Sequence, residues 1–244
     1  MSSVGGVELR VCLLQVEDLG SVEGNVRHAE EMLLKAKDAD FACLPEFFAI
    51  PRGYDKSIYD AWRESMAAID MLRRASERIK GYVIGGSVIE REANKFYNTC
   101  FIFKRGELVA KYRKINLTDE EESKGLTPGK EILSLKTEYG YVTVLICADI
   151  LDMDLAEKAA QGKTIVFLPI SLTKPQHPKV RGHPLTEKLA KKCNTYVAKV
   201  SRIGVEGDVK FGVKSVIISP KGVVAEATSE TEEEILCAEI APQL

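Results

Sequence analysis

The alternation of short apolar strands with amphipathic helices is the feature that most constrains the fold of this 244-residue chain. Residues 7–16 predict a buried strand, and residues 22–37 predict a helix capped by Ser21, because apolar side chains recur there at helical spacing. A second such helix is predicted over residues 58–79. The alternation continues in both halves without a linker, a low-complexity segment or a strict repeat. It predicts a single α/β domain over residues 1–244, with helices outside packed sheets.

The other predicted elements are short. Strands are predicted over residues 41–44, 82–89, 97–104, 107–113, 131–136, 141–147, 164–168, 195–201, 211–218, 222–227 and 234–240. Helices are predicted over residues 152–161 and 185–194, and loops over 115–130 and 170–184. In layered α/β folds the chemistry usually lies in loops at the carboxyl ends of strands, so we look there for functional residues.

The overall charge excludes some classes of partner. The 34 basic and 36 acidic side chains leave a net charge of only −2, which gives no electrostatic case for binding nucleic acid or an anionic membrane. No apolar stretch approaches the roughly 20 residues of a membrane span. The first ten residues lack the basic and apolar regions of a secretory signal. We therefore expect a cytoplasmic protein that binds neither nucleic acid nor membrane.

The cysteine content fits the same compartment. Six cysteines are scattered through apolar, strand-like segments of a large chain, which favours reduced thiols over three disulfides. They are Cys12, Cys43, Cys100, Cys147, Cys193 and Cys237. We expect most of them to be small buried hydrophobic side chains.

Cys147 is the candidate nucleophile. It closes the apolar run YVTVLIC, and Ala148 and Asp149 lead from it towards a helix. A thiol at such a turn can face a helix N-terminus, where backbone N–H groups favour a thiolate. The amide of Ala148 would then be placed to bind a developing oxyanion. The alternative is an inert core cysteine, since free cysteines are usually buried.

Two charged residues also lie at predicted strand ends. Glu46, in FACLPEFF, has apolar neighbours that would raise its pKa and suit a general base. Lys114, at the end of ELVAKYRK, would pair with Glu46 and place positive charge where an oxyanion forms. Each has a simpler alternative, namely a solvent-exposed charge at a strand end. Together with Cys147, the three form the minimum set for acyl transfer through a thioester.

These three segments resemble the motifs of the nitrilase superfamily of carbon–nitrogen hydrolases. Its glutamate, lysine and cysteine motifs are similar to LPEFF, GELVAKYRKINL and YVTVLICAD. FYNTCFIFKRGE, LTPGKEIL and FGVKSVIISPKGVVAEA also resemble family segments. The resemblance covers roughly residues 7–240, and three motifs in the right order at plausible spacings make it specific.

The resemblance implies a four-layer α–β–β–α sandwich, usually assembled as a homodimer or larger homo-oligomer. It implies that Glu46 is the base, Lys114 the oxyanion stabiliser and Cys147 the nucleophile. It also implies a second glutamate six residues before Pro128, which is Glu122, although a solvated acidic run is the alternative. Further expected substrate or oxyanion contacts are Ala148, Tyr54 and Ser171. No metal or organic cofactor is implied.

The chain also departs from the family pattern. Leu151 stands where an arginine is common after the nucleophile, and Met153-Asp154 replace Pro-Glu. Leu189 and Lys192 mark further changed polar positions in the later helix. These departures put the substrate pocket in doubt and leave the three catalytic positions unchanged.

The favoured hypothesis is a hydrolase of small-molecule amides. A nitrilase or an N-carbamoyl hydrolase is the alternative among enzymes, and a non-catalytic binding or scaffold protein is the alternative in another class. Two competing motifs are rejected. Gly162-Lys163-Thr164 is not a phosphate loop, because Glu157 occupies the place of its first glycine. His177 and His183 lie in a proline-rich loop without nearby cysteines, so we expect no metal site there.

Overall fold

The computed structural model describes residues 8–172, 182–206 and 209–241. Within these ranges the helices are α1 (Val22–Lys35), α2 (Ile58–Ser76), α3 (Asp119–Ser123), α4 (Met153–Ala160) and α5 (Pro184–Cys193). A 3-10 turn covers Cys147–Leu151. None of the described helices is both long enough and apolar enough to span a bilayer.

Most described strands belong to two sheets. The first contains β1 (Leu9–Gln15), β2 (Phe41–Cys43), β3 (Tyr82–Ile84), β4 (Val88–Glu92), β5 (Lys95–Lys104), β6 (Glu107–Arg113) and β15 (Glu234–Ile240). Its order is β15-β1-β2-β3-β5-β4, with β6 paired to β5. The second contains β7 (Leu135–Thr137), β8 (Gly140–Val144), β9 (Ile165–Ile170), β10 (Tyr196–Ser201), β13 (Val216–Ser219) and β14 (Gly222–Glu226), in the order β14-β13-β10-β9-β8-β7. The short strands β11 (Gly204–Glu206) and β12 (Val209–Phe211) pair with each other.

The sheets pack face to face and carry helices on their outer faces. Apolar side chains from both sheets form one inner core, including Leu13 and Phe41 of the first sheet and Val144 and Phe167 of the second. A separate core joins α1 and α2 to the first sheet, and another joins α4 and α5 to the second. This is the predicted four-layer α–β–β–α sandwich, and three buried apolar layers hold it together.

Local signals place the helices. The Ser21 side chain accepts a hydrogen bond from the Gly24 amide, so α1 begins where the sequence predicts. Thr118 and Glu121 form a capping box at α3, inside the segment 115–130 that was predicted to be a loop. A threonine followed three residues later by a glutamate, as in Thr118-Asp119-Glu120-Glu121, is the sequence signal for this helix, and the prediction overlooked it.

The prediction of one continuous strand over residues 82–89 is wrong, because the segment is interrupted in its middle. Gly85 and Gly86 separate β3 from β4, and Gly86 has a φ of 56°. A Cβ on Gly86 would lie 2.0 Å from the Pro45 carbonyl oxygen. The glycine therefore lets the chain pass close to the segment that carries Glu46. Two other predicted strands are shortened, since β7 begins at Leu135 and β13 at Val216.

The expectation that all cysteines are reduced thiols is wrong for two of them. Cys12 and Cys237 are direct partners in the antiparallel pair of β1 and β15, and they form a disulfide. They are 225 residues apart in sequence, so only the strand register reveals the pairing. Cys43, Cys100, Cys147 and Cys193 are free.

We predict that Gly86→Ala lowers the free energy of unfolding by about 3 kcal/mol, through left-handed strain and overpacking against Pro45. Gly53→Ala is the matched control. Gly53 also has a positive φ, of 71°, but its added Cβ would meet nothing within 4 Å. The control should lose only about 1 kcal/mol in urea denaturation. Equal losses for the two variants would contradict the close-approach explanation.

Candidate active site

The proposed catalytic residues meet where strand ends from both sheets converge. Glu46 lies three residues past β2, Lys114 directly follows β6, and Cys147 lies three residues past β8. Glu46 is 2% exposed and Lys114 is 1% exposed. The sandwich therefore brings together three side chains that the sequence spreads over about a hundred residues.

Lys114 is held between two carboxylates. Its Nζ lies 2.9 Å from Oε1 of Glu46 and 2.7 Å from Oε2 of Glu121. Although burial opposes its charge, the attraction of Glu46 and Glu121 raises the pKa of Lys114. The predicted Glu46–Lys114 pair is thus present, and the lysine is charged at any physiological pH.

The second glutamate beside Lys114 is Glu121, and the assignment of Glu122 is wrong in this geometry. Glu121 is buried, whereas Glu122 is exposed on α3. As the third residue of the capped turn, Glu121 accepts hydrogen bonds from Thr118 and turns towards Lys114. Counting back from Pro128 could not separate two adjacent glutamates, because it ignores the helical turn that directs their side chains to different sides.

Asn98 completes this buried polar cluster. Its Nδ2 donates to Oε1 of Glu46 at 3.0 Å and to Oε1 of Glu121 at 2.7 Å. Asn98 lies within the Tyr-Asn strand that resembles the family, but the sequence analysis assigned it no role. The amide fixes the spacing of the two carboxylates around the lysine.

Cys147 lies at a conformationally unusual turn. Its φ is 46°, an uncommon left-handed value for a residue other than glycine. The thiol lies close enough to Glu46 for each group to shift the pKa of the other. Burial raises the pKa of Cys147, and Glu46 adds to the rise while Lys114 opposes it. The resting thiol is therefore protonated and depends on a base to become a nucleophile.

Burial also raises the pKa of Glu46, while Lys114 opposes the rise. The Ser171 amide donates to Oε2 of Glu46 at 3.0 Å, so Ser171 reaches the cluster through its backbone. Glu46 thus accepts hydrogen bonds from Lys114, Asn98 and the Ser171 amide, and it also interacts with the Cys147 thiol. That combination suits proton transfer between the thiol and the carboxylate.

The other predicted contacts are placed less directly. Ala148 follows Cys147 in the 3-10 turn, and its role as an oxyanion donor stays a prediction. Tyr54 packs in a neighbouring apolar cluster with Phe47 and Trp62, and it lines a groove beside α1. Its role in substrate binding also stays a prediction.

One buried cation beside the site gave no signal in the sequence. Arg202, which follows β10, donates to the Phe47 carbonyl at 2.8 Å and pairs with Asp18 at 2.6 Å. Phe47 directly follows Glu46 and has a φ of 51°. Arg202 thus braces the turn that carries Glu46, although 155 residues separate it from Phe47.

No cluster of three or more metal-ligating side chains lies within the described ranges. His183, which directly precedes α5, is buried, and its Nε2 lies 2.8 Å from Oε1 of Glu226. His177 lies outside the described residues. Leu151, at the expected arginine position, is 50% exposed.

Comparisons with known proteins identify the family. The Carbon-nitrogen hydrolase family profile matches residues 10–244. This chain belongs to the carbon–nitrogen hydrolase family. It is 33% identical to the chloroplastic omega-amidase of Arabidopsis thaliana, over 96% of this chain and 68% of that protein. It is 32% identical to the omega-amidase NIT2 of Homo sapiens, over 95% of this chain and 88% of that protein.

A solved structure agrees with the fold. Saccharomyces cerevisiae Nit3, a member of branch 10 of the nitrilase superfamily, superposes with a TM-score of 0.82. The match has 28% sequence identity and covers 96% of this chain and 90% of that one. The family resemblance and the sandwich predicted from the sequence are confirmed.

We predict that Lys114→Ala lowers the free energy of unfolding by about 3–5 kcal/mol, because it leaves Glu46 and Glu121 buried together without a cation. Lys111→Ala is the control. Lys111 lies on β6, three residues before Lys114, and pairs with Glu90, but its side chain is 38% exposed, so its loss should cost about 1 kcal/mol or less. Urea denaturation of both variants measures the difference.

The deficit of Lys114→Ala should depend on pH. Without the lysine, the pKa of Glu46 rises further in the folded state, so the folded state binds more protons than the unfolded state. Stability then falls as pH rises through that pKa and recovers as pH falls. Denaturation between pH 8 and pH 5 should show a shrinking deficit, and a constant deficit would mean that the unpaired carboxylates are not its cause.

Proposed function

We propose that this protein is an amidase that hydrolyses small-molecule amides through a thioester on Cys147. The observation that carries the proposal is the convergence of a thiol, a buried carboxylate and a buried ammonium group at one point between the sheets. Nucleophile, base and cation are what acyl transfer requires. No step in this scheme needs a metal or an organic cofactor, and that independence stays a prediction.

The first half-reaction forms the thioester. Glu46 accepts the proton of Cys147 as the sulfur attacks the amide carbonyl carbon. The carbonyl oxygen becomes an oxyanion, which Lys114 and the Ala148 amide stabilise. The intermediate collapses, the C–N bond breaks, and protonated Glu46 gives its proton to the leaving nitrogen. Ammonia or an amine departs and Glu46 is again a carboxylate.

The second half-reaction reverses these roles. Glu46 takes a proton from water, and the resulting hydroxide attacks the thioester carbonyl. The C–S bond breaks, the carboxylic acid is released and the proton returns to sulfur. One carboxylate therefore serves as base and then as acid in each half-reaction.

The charges of the cluster favour such a shuttle. Lys114, Glu46 and Glu121 together carry a formal net charge of −1, which disfavours a free thiolate beside them. Moving the thiol proton to Glu46 leaves the total formal charge of these three residues and Cys147 unchanged. If Glu46 accepts the proton while the Cys147 sulfur attacks the carbonyl carbon, no further uncompensated charge is added to this buried site.

The substrate class rests on similarity. Two relatives that cover nearly the whole chain are named omega-amidases, which favours an amide over a nitrile or an N-carbamoyl compound. A non-catalytic scaffold is disfavoured because a scaffold needs no buried Glu–Lys–Glu cluster beside a strained cysteine. Leu151 leaves one pocket position without the expected cation, so the particular amide is best found with a panel.

We also infer that the protein is cytoplasmic and assembles as a homodimer or larger homo-oligomer. Each chain would form a single catalytic domain. The family resemblance supports the assembly, and the near-neutral charge balance supports the absence of nucleic-acid and membrane partners. Light scattering coupled to gel filtration tests the assembly.

We predict that Cys147→Ala abolishes ammonia release from a panel of small amides, ureas and nitriles, by a factor on the order of 10⁴ or more, because alanine cannot form a thioester. Cys193→Ala is the control, since Cys193 is also a partly buried free thiol but lies at the end of α5, where it contacts the Glu157 carbonyl of α4. It should retain full activity. Turnover by folded Cys147→Ala at the wild-type rate would exclude the thioester route.

We predict that Glu46→Gln slows both thioester formation and thioester hydrolysis, because the same carboxylate acts in both. The glutamine amide would also oppose a donor, since Glu46 accepts from Lys114, Asn98 and the Ser171 amide. A burst experiment with an activated ester measures the two steps separately. Acylation at the wild-type rate followed by a stall would show that Glu46 does not activate Cys147.

A further inference from the structure

A buried carboxylate outside the catalytic set connects the two segments that carry Cys147 and Lys114. Asp149 is fully buried, two residues past Cys147 in the 3-10 turn. Its Oδ1 accepts from the Ile115 and Asn116 amides at 3.2 and 2.7 Å. Its Oδ2 accepts from the Ile146 amide and from the Tyr112 hydroxyl, both at 2.8 Å.

The donors to Asp149 lie next to Cys147 and Lys114 in the sequence. Ile115 directly follows Lys114, and Ile146 directly precedes Cys147. Tyr112 lies on β6 of the first sheet, whereas Ile146 follows β8 of the second sheet. One carboxylate therefore spans the gap between the sheets and bonds to the immediate backbone neighbours of the proposed nucleophile and of the proposed oxyanion stabiliser.

The ionised form is the one that these partners satisfy. Burial raises the pKa of Asp149, while the amides of Asn116 and Ile146 and the Tyr112 hydroxyl oppose the rise. All the described partners of Asp149 donate hydrogen bonds. If one carboxylate oxygen were protonated, or replaced by the NH₂ group of asparagine, its hydrogen would therefore face an N–H group. Asparagine in this position would set its own NH₂ against a donor whichever way it turned.

We propose that Asp149 is a positioning residue, which sets the distance and angle between the Cys147 thiol and the Lys114 ammonium. It touches neither substrate nor reacting atoms. It acts through the Ile115 and Ile146 amides, and it holds Cys147 in its left-handed turn. This inference rests on the proposed roles of Cys147 and Lys114, because misplacement by about 1 Å matters only if those groups react together.

The chain offers a matched control at the other end of the sandwich. Asp40 is also buried, precedes β2, and accepts from the Tyr139 hydroxyl at 2.6 Å and the Arg10 amide at 2.8 Å. The Asp40–Tyr139 contact also links the two sheets, but it lies at the N-terminal ends of β2 and β8, whereas Glu46 and Cys147 lie beyond their C-terminal ends. Tyr112→Phe and Tyr139→Phe thus each remove one tyrosine–aspartate bond between the sheets.

The test compares Tyr112→Phe and Asp149→Asn with Tyr139→Phe and Asp40→Asn. In Tyr112→Phe we expect kcat to fall about tenfold, and in Asp149→Asn about a hundredfold, with KM within about threefold of wild type. Both control variants should lower the melting temperature and leave kcat within about twofold. If Asp149→Asn does not fold, Tyr112→Phe alone decides, because phenylalanine keeps the packing of this buried ring.

A second readout does not depend on any amide substrate. The rate of Cys147 alkylation by iodoacetamide, followed by mass spectrometry of its peptide, should fall about tenfold in Tyr112→Phe and stay unchanged in Tyr139→Phe. If the wild type hydrolyses no amide, the proposed function fails, and the alkylation rates still test the positioning role. Equal kcat and equal alkylation rates in the two tyrosine variants would overturn the inference and leave Asp149 a purely structural residue.

Discussion

The burial of one ammonium group between two carboxylates is the interaction on which the site depends. An isolated ammonium or carboxylate charge would be strongly destabilised at so buried a position. Lys114 with Glu46 and Glu121 forms a set in which every member needs the others, and Asn98 fixes the two carboxylates relative to each other. A buried ion cluster contributes little net stability, but separating its members leaves uncompensated buried charges. The surrounding structure must therefore be rigid enough to keep the three side chains together.

The four-layer sandwich supplies that rigidity. Glu46 and Lys114 extend from the first sheet, while Cys147 and Ser171 extend from β8 and β9 of the second. Three apolar cores hold the layers in register, so the gap between the strand ends has a fixed width. Buried polar contacts then set the finer geometry across this gap, where apolar packing alone has no directionality.

The sequence predicts much of this because the informative signals are local. Helical spacing and a capping serine locate α1, and strand-end positions point to Glu46, Lys114 and Cys147. Choosing Glu121 over Glu122 required knowing that a capped turn directs one side chain inwards. The Cys12–Cys237 disulfide and the Arg202 contact with Phe47 depend on pairings between distant segments. No local pattern carries that information, since it arises only when the sheets assemble.

Two residues at the heart of the site hold backbone conformations that their side chains do not favour. Cys147 and Phe47, the neighbour of Glu46, both have positive φ, which typically costs on the order of 1–3 kcal/mol each. Such strain persists only where the surroundings fix it more firmly than the local preference opposes it. Phe47 is fixed by Arg202 at its carbonyl and Ser87 at its amide. Cys147 lies between the Ile146 amide and Asp149, which bond to each other. Packing and hydrogen bonds elsewhere in the sandwich therefore hold these two strained turns, which carry the Cys147 thiol and the backbone next to Glu46, in fixed positions.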